Sequence, residues 1–202
     1  YIKVSKNILF EGDGYSDAWE KEAAKRGLSN IKTTPKALDA LVSEKSEKLF
    51  KDTGVFSVRE AHARHEILLE EYYKKLQIEA RVIGELVTNV VIPVAIKYQT
   101  SLVENVKGLK DIGLGEDAYG AQMFIIKEIS AHVSFIKQNV EAMINERKVA
   151  NVLEDSRDKA IAYDEKVKSY FEPIRYHVDK LEHLVSDEEW TLPKYREMLL
   201  LR

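Results

Sequence analysis

The fold is decided by the stretch from Ser57 to Gly108, which reads SVREAHARHEILLEEYYKKLQIEARVIGELVTNVVIPVAIKYQTSLVENVKG. It opens with a capping box, because the Ser57 hydroxyl can accept from the amide of Glu60 while the Glu60 carboxylate reaches back to Ser57. Apolar residues then recur at steps of three or four, which keeps one stripe facing a partner. This stripe contains Leu69, Tyr72, Leu76, Ala80, Ile83, Val87, Val90, Val94, Tyr98 and Leu102. The stretch therefore predicts one helix about 75 Å long.

Pro93 lies inside this helical pattern. Proline has no amide proton, and its ring collides with the carbonyl of Asn89 at a cost of about 3 kcal/mol unless the helix bends. The apolar stripe nevertheless continues in register from Val90 to Val94 and beyond. We therefore predict one continuous, bent helix. We expect its buried seam to contain Leu76, Ile83, Val87 and Val90.

Two further long helices are predicted after Gly108. Three glycines between Gly108 and Gly115 indicate a reversal, so the second helix should return antiparallel to the first. Its predicted stripe contains Ala118, Ala121, Ile125, Ile129, His132, Ile136, Met143 and Arg147. A third helix is predicted from Asp155 to His183, with Pro173 as a second kink. Its stripe contains Tyr163, Val167, Tyr170, Ile174, Val178, Leu181 and Val185. The predicted fold class is all-α, an elongated antiparallel bundle built on three long helices.

Shorter elements flank this bundle, which we assign to residues 57–202. Residues 1–56 are predicted to be a junction segment from the end of another unit. They contain a strand-like run, Ile8-Leu9-Phe10, and a turn at Glu11-Gly12-Asp13-Gly14. Short helices are expected after the caps Ser16, Thr34-Pro35 and Ser43, closed by Gly27 and Gly54. At the other end, a second capping box at Ser186–Glu189 and a last short helix from Leu192-Pro193 to Leu200 are expected.

Composition excludes several classes of function. Basic and acidic residues number 31 and 34 and alternate along the chain, so no nucleic-acid partner is expected. Cysteine is absent, which excludes disulfides and thiolate sites and is compatible with the cytoplasm. The longest apolar run, Val90–Ile96, is far shorter than the roughly 20 residues of a membrane span. The sequence begins at Tyr1 without an initiator Met, and we interpret it as part of a longer protein.

The five histidines do not complete a known metal-binding motif. No Glu-x-x-His pair exists, so the ligand set of a di-iron bundle oxidase is missing. His65-Glu66 opens a zincin-like sequence, but the required second histidine is replaced by Leu69. His62 and His65 could share one face with Glu66 as a weak metal site. The alternative, that both histidines pack or hydrogen-bond near the start of the long helix, is favoured.

Two glycine motifs and two acidic pairs are the candidates for nucleotide and acid-base sites. Gly12-Asp13-Gly14 and Gly113-Leu114-Gly115 mimic the start of a dinucleotide fingerprint, but no strand precedes Gly113 and turns are favoured. The acidic pairs Glu70-Glu71 and Glu188-Glu189 should point to different sides of their helices and be solvated. No catalytic, cofactor-binding or metal-binding residue is predicted in this chain.

Several motifs together resemble the C-terminal region of type III glutamine synthetases, the long-chain glutamate–ammonia ligases. Near the N-terminus these are Ile8-Leu9-Phe10-Glu11-Gly12-Asp13-Gly14-Tyr15-Ser16 with Trp19, Arg26-Gly27-Leu28 and Asn30-Ile31-Lys32. In the long helix they are Leu69-Glu70-Glu71-Tyr72, Ile78-Glu79-Ala80 and Ile92-Pro93-Val94-Ala95-Ile96-Lys97-Tyr98-Gln99. The likeness covers essentially the whole chain.

The resemblance implies a parent enzyme that ligates glutamate and ammonia with ATP and Mg²⁺ or Mn²⁺, in large ring-shaped homo-oligomers. Its metal and phosphate ligands should lie upstream of Tyr1, in a catalytic domain that the junction segment contacts. We expect the helical bundle to serve assembly or regulation and to be catalytically silent by itself. Ile8, Phe10 and Trp19 should then stay partly exposed. The alternative is an independent helical scaffold or adaptor that binds partner helices.

Overall fold

The computed structural model describes residues 2–5 and 9–199. The described residues form helices and turns and contain no strand, which confirms the all-α prediction. The α-helices are α1 Ile2–Ser5, α2 Asp17–Lys25, α3 Thr34–Leu38, α4 Glu44–Thr53, α5 Val58–Leu86, α6 Ile92–Asp111, α7 Glu116–Asn151, α8 Ser156–Ala162, α9 Phe171–Leu184 and α10 Tyr195–Met198. A 3₁₀ turn, Asp39–Val42, separates α3 from α4.

The long helix begins at the predicted capping box. The Ser57 hydroxyl accepts from the amide of Glu60 at 3.3 Å, and the Glu60 carboxylate accepts from the amide of Ser57 at 2.8 Å. The hydrogen bond from the Ser57 amide, and then the one that the Ser57 hydroxyl donates to the Glu60 carboxylate, lower the pKa of Glu60 because they favour its charged form. Two of the orphan amides at the helix start are thus satisfied locally.

Pro93 does not interrupt the helix, as predicted. A π-helical segment, Val87–Val91, joins α5 directly to α6, and the amide of Ile92 donates to the carbonyl of Val87. Widening the turn just before a proline gives its ring room and shifts hydrogen bonds away from the missing amide.

The π segment changes which residues are buried. Val87, Val91 and Ala95 are fully buried, whereas Val90 and Val94 are only partly buried. The extra residue in the wide turn advances the helix phase, so the predicted stripe is displaced by one position after Val87. In the predicted seam Leu76 and Val87 are buried, while Ile83 and Val90 are partly buried.

The second helix returns antiparallel, as predicted, but the reversal is tighter than expected. Helix α6 continues through Gly108 to Asp111, and Gly113 takes a left-handed φ of 84°. The Gln99 side chain donates to the carbonyl of Ile126 at 2.8 Å. This contact and the one between Gln122 and Asn105 fix the register of α6 against α7.

The predicted stripe of α7 is wrong at its beginning. Ala118 and Ala121 are exposed, whereas Tyr119 is buried. The fully buried residues of α7 are Tyr119, Ile129, Ile136, Val140, Met143 and Ala150. Tyr119 lies on the side of α7 that faces α6, where Lys110 approaches its ring.

The third helical run begins at its cap Asp155 and ends at Leu184. A π segment, Tyr163–Val167, and a 3₁₀ turn precede Pro173. As before Pro93, the helix departs from regular α geometry in the turns before the proline. The predicted stripe is buried at Tyr163, Val167, Ile174, Leu181 and Val185 and partly buried at its other positions. Together with the buried residues of α5, α6 and α7 it forms one core.

The tail departs from the prediction. Ser186 to Glu189 form a single turn, in which Trp190 and Glu189 donate their amides to the carbonyl of Ser186. The last helix spans Tyr195–Met198 and so begins three residues after Leu192. Leu200, the predicted end, lies outside the described residues. Trp190 packs against Val90 and Val94 of the long helix.

The N-terminal segment forms short helices at the expected caps. Ser16 and Ser43 accept from amides three residues on, and Gly27 and Gly54 take left-handed φ angles after α2 and α4. Leu9 and Phe10 of the strand-like run are irregular, and Ile8 lies outside the described residues. The rings of Phe10 and Trp19 contact each other at a tilt of 44°, with their centroids 4.7 Å apart, and both residues are partly buried, as expected. The boundary between residues 56 and 57 stays a prediction.

Candidate functional site

The most developed polar site lies at the base of the bundle, where α3, α4 and the 3₁₀ turn pack on α5. We call it the basal cluster and define it as Lys36, Asp39, His65, Arg157 and Glu165. Arg157 donates in a fork to Asp39, with Nε–Oδ1 2.8 Å and Nη2–Oδ2 2.7 Å. This hydrogen-bonded fork lowers the pKa of Asp39 and raises that of Arg157.

Two further contacts complete the basal cluster. The Lys36 ammonium donates to the Glu165 carboxylate at 2.6 Å. The His65 side chain is only 12% exposed, and its Nε2 is 3.5 Å from the Asp39 carboxylate, a distance too long for a good hydrogen bond. The cluster therefore connects the N-terminal segment to the third helix by two ion pairs and lies beside His65 of α5.

The predicted metal candidates do not converge. His62 contacts Glu47 at 2.7 Å, whereas His65 faces Asp39, so each imidazole has its own carboxylate neighbour. Glu66 is exposed to solvent. In residues 2–5 and 9–199, no group of three or more histidine and carboxylate side chains could hold a metal ion.

A second polar contact lies about two turns further along α5 than His65. The Tyr72 hydroxyl donates to Asp164, and Lys168 donates to the same carboxylate at 3.2 Å. Burial, then the hydrogen bond to Asp164, raises the pKa of Tyr72 well above its usual range. Tyr72 thus stays a neutral donor that joins α5 to the π segment of the third helix.

An open groove runs beside the basal cluster. Its lining residues are Asn30, Ile31, Lys32, Thr33, Lys36, Asp39, Ala40, Ser43 and Arg157. Each of its cations contacts a carboxylate within the chain, since Lys32 pairs with Glu20 at 2.6 Å and the other two belong to the basal cluster. A phosphate would have to displace these carboxylates. The groove therefore lacks cations that are available to bind the phosphates of a nucleotide.

The two glycine motifs form turns. Asp13 accepts the amide of Tyr15 at 2.9 Å, which closes a turn between Gly12 and Gly14. Gly113 takes its left-handed φ inside the connection between α6 and α7.

The acidic pairs have separate, solvated partners. Glu70 pairs with Lys74 four residues on, and Glu189 pairs with Lys97 of the long helix, both at 2.6 Å. None of these pairs forms an acid-base dyad.

Sequence reasoning missed one titratable pair. His132 and His177 face each other with their Nδ1 atoms 2.8 Å apart, and Phe135 stacks on His177 at 3.8 Å. Burial, then the neighbouring His132, lowers the pKa of His177. His132 was placed on a helix stripe, but nothing in the spacing could identify a partner 45 residues away.

Among the described residues, no helix is both long and apolar enough to cross a membrane.

The comparisons with known proteins point to one family. The model of the glutamine synthetase C-terminal domain matches residues 1–110. A glutamine synthetase of Bacteroides fragilis (strain YCH46) is 44% identical over 205 residues, which cover 100% of this chain and 28% of the relative. A type-3 glutamine synthetase of Dictyostelium discoideum is 31% identical, over 96% of the chain and 27% of the relative. A glutamine synthetase of Butyrivibrio fibrisolvens is 29% identical, over 98% of the chain and 28% of the relative. The chain thus spans little more than a quarter of the relatives it matches.

Proposed function

The chain belongs to the glutamine synthetase C-terminal domain family, and on that premise we propose that it is the accessory helical domain of an ATP-dependent glutamate–ammonia ligase. The observation behind this proposal is the match of the whole chain to about 28% of a glutamine synthetase. The bundle serves assembly or regulation of the parent enzyme in the cytoplasm and does not catalyse ligation by itself.

The chemistry of the parent supports a catalytic site outside this chain. Phosphoryl transfer from ATP to a carboxylate needs Mg²⁺ or Mn²⁺ and cations placed around the developing charge. In the described part of the chain, carboxylates do not converge and the groove cations have partners. These residues therefore do not fit the metal or the nucleotide, and we assign both to the remainder of the parent.

The N-terminal segment is the proposed contact with the catalytic domain. It exposes several apolar side chains, including Leu9, Leu28, Ile31 and a fully exposed Tyr15. Phe10 and Trp19 are only partly covered. Exposed apolar side chains on a segment of short helices and polar turns are typical of an interface between domains. The basal cluster would then hold this contact in a fixed orientation to the bundle.

The test compares three samples: the chain alone, the full parent, and the parent truncated near Ser57. We expect glutamine formation from glutamate, ammonia and ATP by the full parent only, with loss of activity or of the normal oligomer after truncation. Ligase turnover by the chain alone would refute the accessory-domain proposal. Full activity together with normal oligomers in the truncated parent would refute the assembly role.

A further inference from the structure

Two contacts set the register in which α5 packs on α7. The Gln77 side chain donates to Asn151 at 2.8 Å, and the Tyr163 hydroxyl donates to the same oxygen at 2.6 Å. About two turns further along α5, a Cβ atom on Gly84 would lie 3.9 Å from the side chain of Ile144. The second contact lies as far forward on α5 as it lies backward on α7, so the two helices run antiparallel in one constant register.

Arg81 and Arg147 lie opposite each other in this register. Arg81 follows Gln77 by four residues, and Arg147 precedes Asn151 by four residues. Residues four apart lie one above the other on the same side of an α-helix. The two arginines therefore extend from facing sides of α5 and α7 at one level of the seam between these helices.

The hydroxyl of Tyr163 lies within the electrostatic reach of both arginines. The Tyr163 side chain is completely buried. Burial raises the pKa of Tyr163, and a hydrogen bond with Gln77 opposes this rise. The positive charges of Arg147 and Arg81 act in the same lowering direction as Gln77. Two cations from different helices thus act on one buried oxygen atom.

Neither arginine has a counter-ion in the described part of the chain. Among residues 2–5 and 9–199, the Arg81 and Arg147 side chains form no hydrogen bond or ion pair. The residues three and four positions away from them are uncharged, except for Glu85, which follows Arg81 by four. Arg147 is partly buried. Like charges that face each other are destabilising, and a partly buried cation needs a partner more than a solvated one does.

We propose that Arg81 and Arg147 bind a phosphate group, on the free ion or on a small phosphate ester. A guanidinium donates in a fork to two oxygens, and phosphate has enough oxygens for two forks at once. Its charge of about −1.5 to −2 at pH 7 matches two cations, whereas one carboxylate has a single charge and two oxygens. The bound phosphate group would join α5 to α7 and stabilise the bundle.

This site differs from a catalytic phosphate site. In the part of the chain that the structure describes, carboxylates do not gather into a group that could hold a metal ion. Transfer of a phosphoryl group needs such a metal, so Arg81 and Arg147 bind the group without transferring it. The site is therefore separate from the proposed ligase activity of the parent.

Arginine footprinting of the full parent tests the site residue by residue. Phenylglyoxal modifies accessible guanidinium groups, and peptide mass spectrometry gives the rate at each arginine. We expect a Kd on the order of 1 mM, because the site is open and rests on a few charge-assisted hydrogen bonds. About 10 mM inorganic phosphate at constant ionic strength should then slow modification of Arg81 and Arg147 about tenfold. The exposed Arg59 should react at an unchanged rate. Unchanged rates at Arg81 and Arg147 would overturn the proposal.

A matched pair of variants tests whether both arginines hold one ligand. Arg147→Gln removes half of the site, so phosphate should no longer slow the modification of Arg81. Arg59→Gln removes an exposed arginine from the same helix and should leave the slowing of Arg81 intact. Arg147→Lys keeps the charge without the fork and should restore part of the slowing. Equal slowing of Arg81 in Arg147→Gln and Arg59→Gln would overturn the shared site.

The same footprint identifies the source of the phosphate group. Slowing at a lower concentration of glycerol 3-phosphate than of inorganic phosphate would support an ester, and the reverse order would support the free ion. Slowing by succinate at a lower concentration than by either phosphate would overturn the assignment to phosphate. None of these rates depends on ligase turnover, so the accessory-domain proposal is tested separately.

Discussion

The base of the bundle and its far end differ in how α7 is covered. We call the far end the arm tip and define it as residues 100–127. At the level of the third helix, Ile129 and Ile136 of α7 are completely buried. About one to two turns before Ile129, Phe124 and Ala121 are exposed, whereas Tyr119, further out, is buried. Burial along α7 is thus decided by which sides of the helix are covered at each level, and the apolar stripe alone does not determine it.

The largest difference between the two regions should appear in core truncations. Leu76→Ala removes a buried side chain where three helices meet, and we expect a loss of about 2 to 5 kcal/mol in the free energy of unfolding. Val103→Ala in the arm tip, where the side chain is half exposed, should cost less than about 0.5 kcal/mol. Urea denaturation followed by circular dichroism measures both. Equal losses would remove the distinction between base and tip.

A smaller effect is expected in the basal cluster. Asp39→Asn replaces the charged fork with Arg157, and because both side chains are about two-fifths exposed we expect a loss of only about 1 kcal/mol. The pKa of Asp39 is lowered in the folded state, so its contribution is fully present above the unfolded pKa near 3.8 and is lost as the pH falls through the lower folded pKa. The difference in unfolding free energy between wild type and variant should therefore be smaller at pH 3 than at pH 7.

The smallest effect concerns the histidine pair between base and tip. Because the pKa of His177 is lowered below 6.5, the folded state favours its neutral form, and this contribution is lost as the pH falls through 6.5. The melting temperature of the wild type should therefore drop between pH 7.5 and pH 5.5. His177→Phe, which keeps a ring against Phe135, should show a smaller drop. An identical drop in both proteins would argue against the pair.

Local signals in the sequence predicted the helix ends well. The capping box at Ser57 and the left-handed Gly27, Gly54 and Gly113 depend on neighbouring residues only, and each is observed where its residue type predicts. The stripe of the third helix was also predicted correctly, because its buried residues face one packed core along its whole length.

The failures arise where tertiary structure overrides local pattern. The π segment before Pro93 moves burial from Val90 to Val91, and no periodicity of three or four residues encodes such an extra residue. The fork between Asp39 and Arg157 joins residues 118 positions apart, so it could not be predicted without the register of the third helix. The exposure of Ala121 likewise depends on which side of α7 is covered at its level.

The account depends most directly on whether this chain can perform the chemistry of the enzyme family to which it belongs. Glutamine formation should be measured for the isolated chain and for the full parent at equal molar concentration, with saturating glutamate, ammonia, ATP and Mg²⁺. We predict steady turnover by the parent and none above the blank for the chain, because its described carboxylates do not converge and the cations of its groove have partners. Reproducible turnover by the isolated chain would contradict the account.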